Sequence, residues 1–179
     1  MASVKKQITT NHLIENVSVV DNYFITDDLY KKVVVIERHN KTGKFAIAPI
    51  KGFNINNGAI ASSVAHDSHN IVIIGDNDEA ILLALNELEK IKGGYVLIKD
   101  NQIAATLPLP IMGLISADNP INTMEKTKNI INMAYEMGVD KDIDPFHTLS
   151  FLSLTVIPEI RLTTRGLYIV KDNEYKKTI

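Results

Sequence analysis

The side chains best suited to chemistry stand in one short polar block, His66-Asp67-Ser68-His69-Asn70, between two apolar runs of the sequence. Imidazole and carboxylate groups can transfer protons or bind metals near neutral pH. At the ends of buried strands, the surroundings can control both the orientation and the pKa of such groups. The sequence therefore predicts a candidate site at this block, with His66, Asp67 and His69 as its chemical groups.

Whether these groups converge depends on the backbone of the block. In a regular strand Asp67 and His69 share one face and His66 points to the other, so the three converge only where the chain turns. Ser68 and Asn70 are residue types that favour a turn. A structural interpretation stays open, in which the histidines and the acid hydrogen-bond one another and the nearby backbone at a strand end.

Two further chemistries can be written for the block. A catalytic metal site usually has three or more protein ligands. The residues that could add a ligand to the block are Glu37, His39 and Asp76. A Ser-His-Asp triad could include Ser62 or Ser63, but no nucleophile-elbow pattern accompanies either serine.

Composition excludes several classes of function. The chain has no cysteine, which rules out disulfides, thiolate nucleophiles, iron–sulfur clusters and cysteine-ligated zinc, and fits a cytoplasmic location. The net charge of −2 and the pI near 6.2 give no positive field for nucleic acid or an anionic membrane. Neither a phosphate loop nor a G-x-G-x-x-G turn is present, which disfavours nucleotide chemistry.

The elements that must position the block follow from hydrophobic patterning. A first hairpin is predicted from two β-rich runs, KKVVVIERH and FAIAPI, which flank a turn at residues 40–43. A buried strand is predicted from the apolar run NIVIIG. Asp76-Asn77-Asp78 starts a helix that ends at Gly93-Gly94, and a second helix is predicted from Thr123 to Met137. YVLIKDNQIAATLPL predicts a second hairpin that Pro108 and Pro110 terminate. The C-terminal part contains an apolar and β-rich run, HTLSFLSLTVIPEIRLT. The last predicted strand, GLYIV, follows a turn.

Two main helices against seven or eight short strands predict an α+β fold, a layered domain of antiparallel or mixed β-sheets. The 179 residues fit one domain. Residues 1–16 are polar and unpatterned, which predicts a flexible N-terminal segment ahead of a domain over residues 17–179. No window reaches the length of a membrane span or of a signal peptide.

Four segments together carry a resemblance to a known family. They are Glu37-Arg38-His39, the block Gly58 to Asn70 (GAIASSVAHDSHN), Leu107 to Leu114 (LPLPIMGL) and Val156 to Thr163 (VIPEIRLT). In order and spacing they resemble the C-terminal domain of bacterial adenine deaminase, from about Ile36 to about Val170.

The resemblance implies a part in the hydrolysis of adenine to hypoxanthine and ammonia, a reaction of purine salvage. In the family the reaction takes place at a divalent metal, manganese or similar, in an amidohydrolase barrel that precedes this domain. A (β/α)₈ barrel needs about 250 residues, so this chain is expected to be a C-terminal portion with no metal ligands and no cofactor of its own. The expected partners are that barrel, adenine as substrate of the whole enzyme, and further copies in a homo-oligomer.

The resemblance further implies that the polar block faces the active site or the barrel. His66, Asp67 and His69 are then candidate catalytic residues in a supporting role. Weaker candidates for substrate binding are Glu37, His39, Ser62, Ser63 and Asn70. Two alternatives stay open: a non-catalytic scaffold or oligomerisation module, and an independent metal-dependent hydrolase that uses the polar block. The isolated chain is expected to be inactive.

Overall fold

The structure is a computed structural model that describes residues 1–3, 8–21, 23–176 and 178. Its centre is an eight-stranded mixed sheet, flanked by a three-stranded antiparallel sheet and a two-stranded ribbon. The strands are β1 (Ala2–Ser3), β2 (Thr10–Asn11), β3 (Val19–Val20), β4 (Tyr23–Phe24), β5 (Tyr30–Ile36), β6 (Phe45–Lys51), β7 (Gly58–Ser62), β8 (Ile71–Gly75), β9 (Gly94–Lys99), β10 (Gln102–Pro108), β11 (Ile160–Thr163), β12 (Gly166–Ile169) and β13 (Glu174–Lys176). The helices are α1 (Asp78–Lys90), α2 (Pro120–Glu136) and α3 (Pro145–Phe151).

The large sheet has the strand order β10-β9-β7-β8-β5-β6-β1-β2. Its pairs are antiparallel except for β1 with β6, which is parallel. The smaller sheet runs β11-β12-β13, and β3 pairs with β4. These features confirm the α+β layered fold with antiparallel and mixed sheets.

Alternation along the central strands divides the interior into two cores. Val34, Ile73 and Ile98 point to the side that α1 covers, whereas Val33 and Ile74 point to the side of α2, α3 and the small sheet. Side chains on successive residues of a strand face opposite sides of a sheet. A sheet covered on both faces needs apolar residues at nearly every position, as the fully buried IVIIG of β8 shows.

The predicted hairpins and the ends of the first helix are confirmed, whereas the second helix begins at Pro120, three residues before the predicted Thr123, because Asn119 caps it. Asn77 accepts a hydrogen bond from the backbone N–H of Ala80 and caps α1, while the amide of Gly93 closes its end by donating to the Leu88 carbonyl at 2.8 Å. The β9–β10 turn places Asp100 and Asn101 at φ of 51° and 54°, in the left-handed region that suits a two-residue hairpin turn.

None of the helices in the described residues combines the length and the apolar character that a membrane span requires.

The prediction for the apolar tail was wrong over its first part. The tail was expected to be β-rich from His147, but Pro145–Phe151 forms α3, with Asp144 as its N-cap and Pro145 in its first turn. A short apolar run has no periodicity that separates a buried helix from a strand, and the cap residues precede the run. Strand structure begins at Ile160, as β11.

The N-terminal segment contributes to the large sheet. β1 and β2 pair with each other, and Thr10 is buried and bonded through its backbone to residues 158 and 159. Residues 4–7, within the segment predicted to be flexible, lie outside the described residues. The flexibility of residues 1–16 and the domain boundary at residue 17 stay predictions.

Candidate functional site

A cleft of about 840 Å³ lies where the turn after β5 meets the end of α1. Its other walls are the segment after β10, through Met112 and Leu114, and the polar block, through His69. This volume is in the range that small-molecule sites occupy, about 300–1,000 Å³. The cleft is therefore the place where the polar residues of the sequence could act on a ligand.

His69 reaches the cleft because the polar block turns. Its backbone N–H donates to the Ala65 carbonyl at 2.6 Å, and its φ of 49° lies in the left-handed region. The peptide bond between His66 and Asp67 is cis. Side-chain atom Nδ1 of His69 is buried and has no hydrogen-bond partner among the described residues.

The surroundings of His69 favour its neutral form. Burial lowers the pKa of the imidazole most, and electrostatic interactions with His66, Arg38 and His39 lower it further, against an opposing effect of Asp67. Because an ordinary histidine titrates near 6.5, a lowered pKa leaves this ring uncharged at neutral pH. A neutral imidazole can accept a proton or orient a ligand through a hydrogen bond.

The other two candidate catalytic residues, His66 and Asp67, do not line the cleft. The His66 ring stacks on Phe151 of α3, with centroids 4.9 Å apart, and its backbone N–H donates to the Ser150 carbonyl at 2.7 Å. Asp67 is exposed. The centroids of His66 and His69 are 6.0 Å apart. The turn thus brings the three residues near one another, with His69 alone facing the cleft, and their catalytic roles stay a prediction.

The carboxylate of Glu37 holds the turn after β5. It accepts hydrogen bonds from the backbone N–H groups of His39, Asn40 and Thr42 at 2.6, 2.7 and 3.0 Å. The bonds from Asn40 and Thr42 are the main cause that lowers the pKa of Glu37 to about 2. His39 is exposed, and its Nε2 lies 2.7 Å from the Ser68 carbonyl oxygen, which ties the turn to the polar block.

The remaining candidates for substrate binding are bonded to the backbone. Ser63 is fully buried, and its Oγ donates to the Gly113 carbonyl at 2.6 Å and accepts from the Gly94 N–H at 2.8 Å. Ser62 is also fully buried, and its Oγ bonds the backbone of Val64. Asn70 Oδ1 accepts from the Arg38 N–H at 3.4 Å. These contacts favour a structural role for all three side chains.

Arg38 is the cleft residue that the sequence analysis missed. Its Nη2 donates to the Met112 carbonyl at 2.8 Å, while Nε is buried without a partner among the described residues. An added Cβ at Gly113 would overlap the guanidinium, and one at Gly93 would lie 3.3 Å from Nη1. The glycines that make room for Arg38 stand more than fifty residues away in sequence, so spacing alone could not indicate this arrangement.

The donor set does not fit a metal ion. Within the described residues, no group of three histidine, aspartate or glutamate side chains is placed to hold one. The Glu37 carboxylate is occupied by the turn, and the His66 ring is packed on Phe151. The cleft therefore presents a neutral imidazole beside a guanidinium, an arrangement that can bind and orient a polar ligand.

Comparison with known proteins identifies the family. The model of the adenine deaminase C-terminal domain matches residues 7–174. The chain is 52% identical over 173 residues to an adenine deaminase of Desulfitobacterium hafniense (strain Y51), covering 97% of this chain and 30% of that protein. It is 47% identical over 167 residues to an adenine deaminase of Halalkalibacterium halodurans, covering 91% of this chain and 28% of that protein.

These matches cover nearly all of the chain and about 30% of the length of the curated relatives. They agree with the resemblance carried by the polar block, the Glu37-Arg38-His39 turn and the segment after β10. The chain belongs to the adenine deaminase C-terminal domain family.

Proposed function

We propose that this domain completes the active site of a metal-dependent adenine deaminase, which converts adenine and water into hypoxanthine and ammonia in cytoplasmic purine salvage. The observation that carries the proposal is the neutral His69 imidazole, held at the wall of a cleft with its Nδ1 unpartnered. Buried polar atoms of native proteins are nearly always hydrogen-bonded, so an unpaired one calls for a functional explanation.

The remaining part of the reaction belongs to an amidohydrolase barrel outside this chain. When bound in that barrel, a divalent metal such as manganese lowers the pKa of water and supplies the nucleophile. In this proposal His69 orients a polar group at the mouth of the active site, with Asp67 and His66 influencing its protonation. Glu37 and Ser63 hold the backbone of the cleft.

The test is a chimera in which this chain replaces the matched segment of the Desulfitobacterium hafniense enzyme. His69→Asn is the informative substitution, because asparagine tolerates a positive φ better than alanine does. We expect kcat to fall about 10–100-fold, as when other supporting residues are lost, with little change in melting temperature. The matched control is His147→Asn, an exposed histidine of α3 outside the cleft, which should leave kcat unchanged.

A second candidate function is a scaffold that stabilises the barrel or joins copies. The exposed Ile111, Met112 and Ile115 beside the cleft favour it, because contiguous exposed apolar side chains often mark an interface. A lower melting temperature of the His69→Asn chimera with wild-type kcat would support the scaffold and contradict the active-site role.

An independent hydrolase is the third alternative. The isolated chain, incubated with adenine and manganese, is expected to form no hypoxanthine. Turnover near the typical ~10 s⁻¹ of enzymes would overturn the proposal that the barrel is required.

A further inference from the structure

The charge of Arg38 lacks a counter-ion. No ion pair joins Arg38 to a carboxylate among the residues that the structure describes. Of its five N–H donors, the side chain uses one, on Nη2, to bond the Met112 carbonyl. Burial lowers the pKa of the guanidinium, but an arginine in a protein still carries its charge at neutral pH. Within the part of the chain that the structure describes, the Nη1 donors and the second Nη2 donor have no partner, so a ligand can accept hydrogen bonds from them.

The position of this guanidinium is fixed by the backbone around it. Gly113 has a φ of 76°, and a side chain there would place its Cβ 2.9 Å from Cζ of Arg38. Ser63 bonds the Gly113 carbonyl and the Gly94 N–H, and so joins the two segments between which Arg38 lies. A receptor whose geometry is set in advance loses less entropy when it binds.

Unpaired polar atoms concentrate in this cleft. Three buried side-chain nitrogen or oxygen atoms lack a partner within the described part of the chain, and two of them are Nε of Arg38 and Nδ1 of His69. Both residues line the same cleft. Because burying a polar atom without a partner destabilises the folded state, the clustering of two such atoms indicates a ligand or ordered water that completes their hydrogen bonds.

The charges on the walls indicate what kind of ligand this is. Three cationic side chains line the cleft, Arg38, Lys41 and Lys92, against two anionic ones, Glu37 and Glu89. The carboxylate of Glu37 is already held by three backbone N–H groups. The excess of one positive charge matches a ligand with a single negative charge. A planar guanidinium can donate two parallel hydrogen bonds to the two oxygens of a carboxylate, so a carboxylate is the anion that fits best.

We propose that the cleft is a carboxylate-binding site with Arg38 as its receptor. The carboxylate can come from a free small molecule or from an aspartate or glutamate of the rest of the enzyme, and the chemistry is the same. The site does not depend on the proposed deaminase function, because it consists of residues of this chain alone.

The first experiment titrates the ¹⁵N-labelled chain with sodium acetate at constant ionic strength, against sodium chloride. We expect saturable shifts of the Gly93 and Gly113 amide signals and of the Arg38 Nε–H signal. Arg38→Gln should raise the apparent Kd for acetate about tenfold or more, the effect of losing a charge-assisted hydrogen-bond pair. The matched control is Arg165→Gln, since Arg165 lies over the Tyr175 ring outside the cleft.

Arg38→Lys is the second variant, because it keeps the positive charge but cannot donate two parallel hydrogen bonds to a carboxylate. It should weaken acetate binding by about threefold or more, and this result tests the site even if Arg38→Gln does not fold. Absence of saturable shifts in the wild-type chain, or equal shifts in Arg38→Gln, would overturn the proposal. Binding of inorganic phosphate without binding of acetate would overturn the assignment to a carboxylate.

The chimera distinguishes the two sources of the carboxylate. If acetate still binds saturably to the complete enzyme, the natural ligand is a free carboxylate. If acetate has no effect there, and Arg38→Gln lowers the melting temperature of the chimera but not of the isolated chain, a carboxylate of the remaining polypeptide occupies the site. An inactive chimera with an intact acetate titration of the isolated chain would contradict the proposed function and support this site.

Discussion

The buried hydroxyl of Ser63 gives the sharpest test of how the cleft is built. Its Oγ makes two hydrogen bonds, to the Gly113 carbonyl at 2.6 Å and from the Gly94 N–H at 2.8 Å, and the side chain is fully buried. Ser63→Ala removes both bonds and leaves one buried donor and one buried acceptor. Each unsatisfied group costs about 1–3 kcal/mol, and water from the adjoining cleft can reach part of the space, so we expect a loss of about 2–4 kcal/mol.

Urea unfolding followed by circular dichroism measures this loss, together with the melting temperature. For a domain of this size each 1 kcal/mol corresponds to roughly 2–4 °C, so the melting temperature should fall by roughly 4–16 °C. Ser68→Ala is the matched control, because Ser68 is exposed and, among the described residues, its Oγ accepts a single long bond of 3.5 Å from the Asn70 N–H. Its stability should change by less than about 0.5 kcal/mol.

The outcome separates the two roles considered for Ser63. A chimera carrying Ser63→Ala that keeps its melting temperature within about 1 °C and loses activity would refute the structural assignment and restore Ser63 as a substrate-binding residue. A large loss of stability, with kcat of the surviving folded enzyme near normal, agrees with the hydrogen bonds described above.

Three further predictions concern other parts of the chain. Arg161→Met should lower the free energy of unfolding, measured in urea, by about 3–5 kcal/mol. The reason is that the fully buried guanidinium donates to three backbone carbonyls and to Thr10. A loss below about 1 kcal/mol would contradict this structural role. The pKa of Glu37 is lowered to about 2, so its contribution to stability is complete above the ordinary value of 4.5 and is lost as the pH falls towards 2. In Glu37→Gln the urea midpoint should therefore depend less on pH in that interval than in the wild-type chain. An equal pH dependence in both proteins would contradict the hydrogen bonds of Glu37 in the turn. The isolated chain should self-associate through the exposed Ile111 and Met112; light scattering should then depend on concentration, less so for Met112→Lys, whereas a wild-type monomer at all concentrations would rule this out.

The parts of the fold that sequence predicts well are those with local chemical causes. Helix α1 starts at an asparagine cap and ends before glycines, and the β9–β10 hairpin turns at Asp100-Asn101, so each boundary is determined by a few neighbouring residues. Helix α3 was missed because its seven residues are nearly all buried, so no polar face shows a helical period. Strand order was not predictable, since it depends on contacts between distant segments.

The candidate site shows the same limit more strongly. The density of polar residues pointed to His69, which lines the cleft, but it also pointed to Glu37 and Ser63, whose polar atoms bond the backbone. Residue type alone cannot separate a side chain that bonds its own fold from one that is left free for a ligand. Only the count of hydrogen-bond partners in three dimensions makes that separation.

That count also explains why Arg38 and His69 are the residues to test. An arginine that merely stabilised this fold would satisfy its donors within the chain, as Arg161 does with four hydrogen bonds. Arg38 donates to a single backbone carbonyl, that of Met112, and neither its Nε nor the Nδ1 of His69 has a partner among the described residues. Both residues line the same cleft, and the glycines at positions 93 and 113 leave the space that the Arg38 guanidinium occupies. The contrast between the two arginines is therefore the physical reason to assign ligand binding to Arg38 in the cleft and a structural role to the buried, fully bonded Arg161.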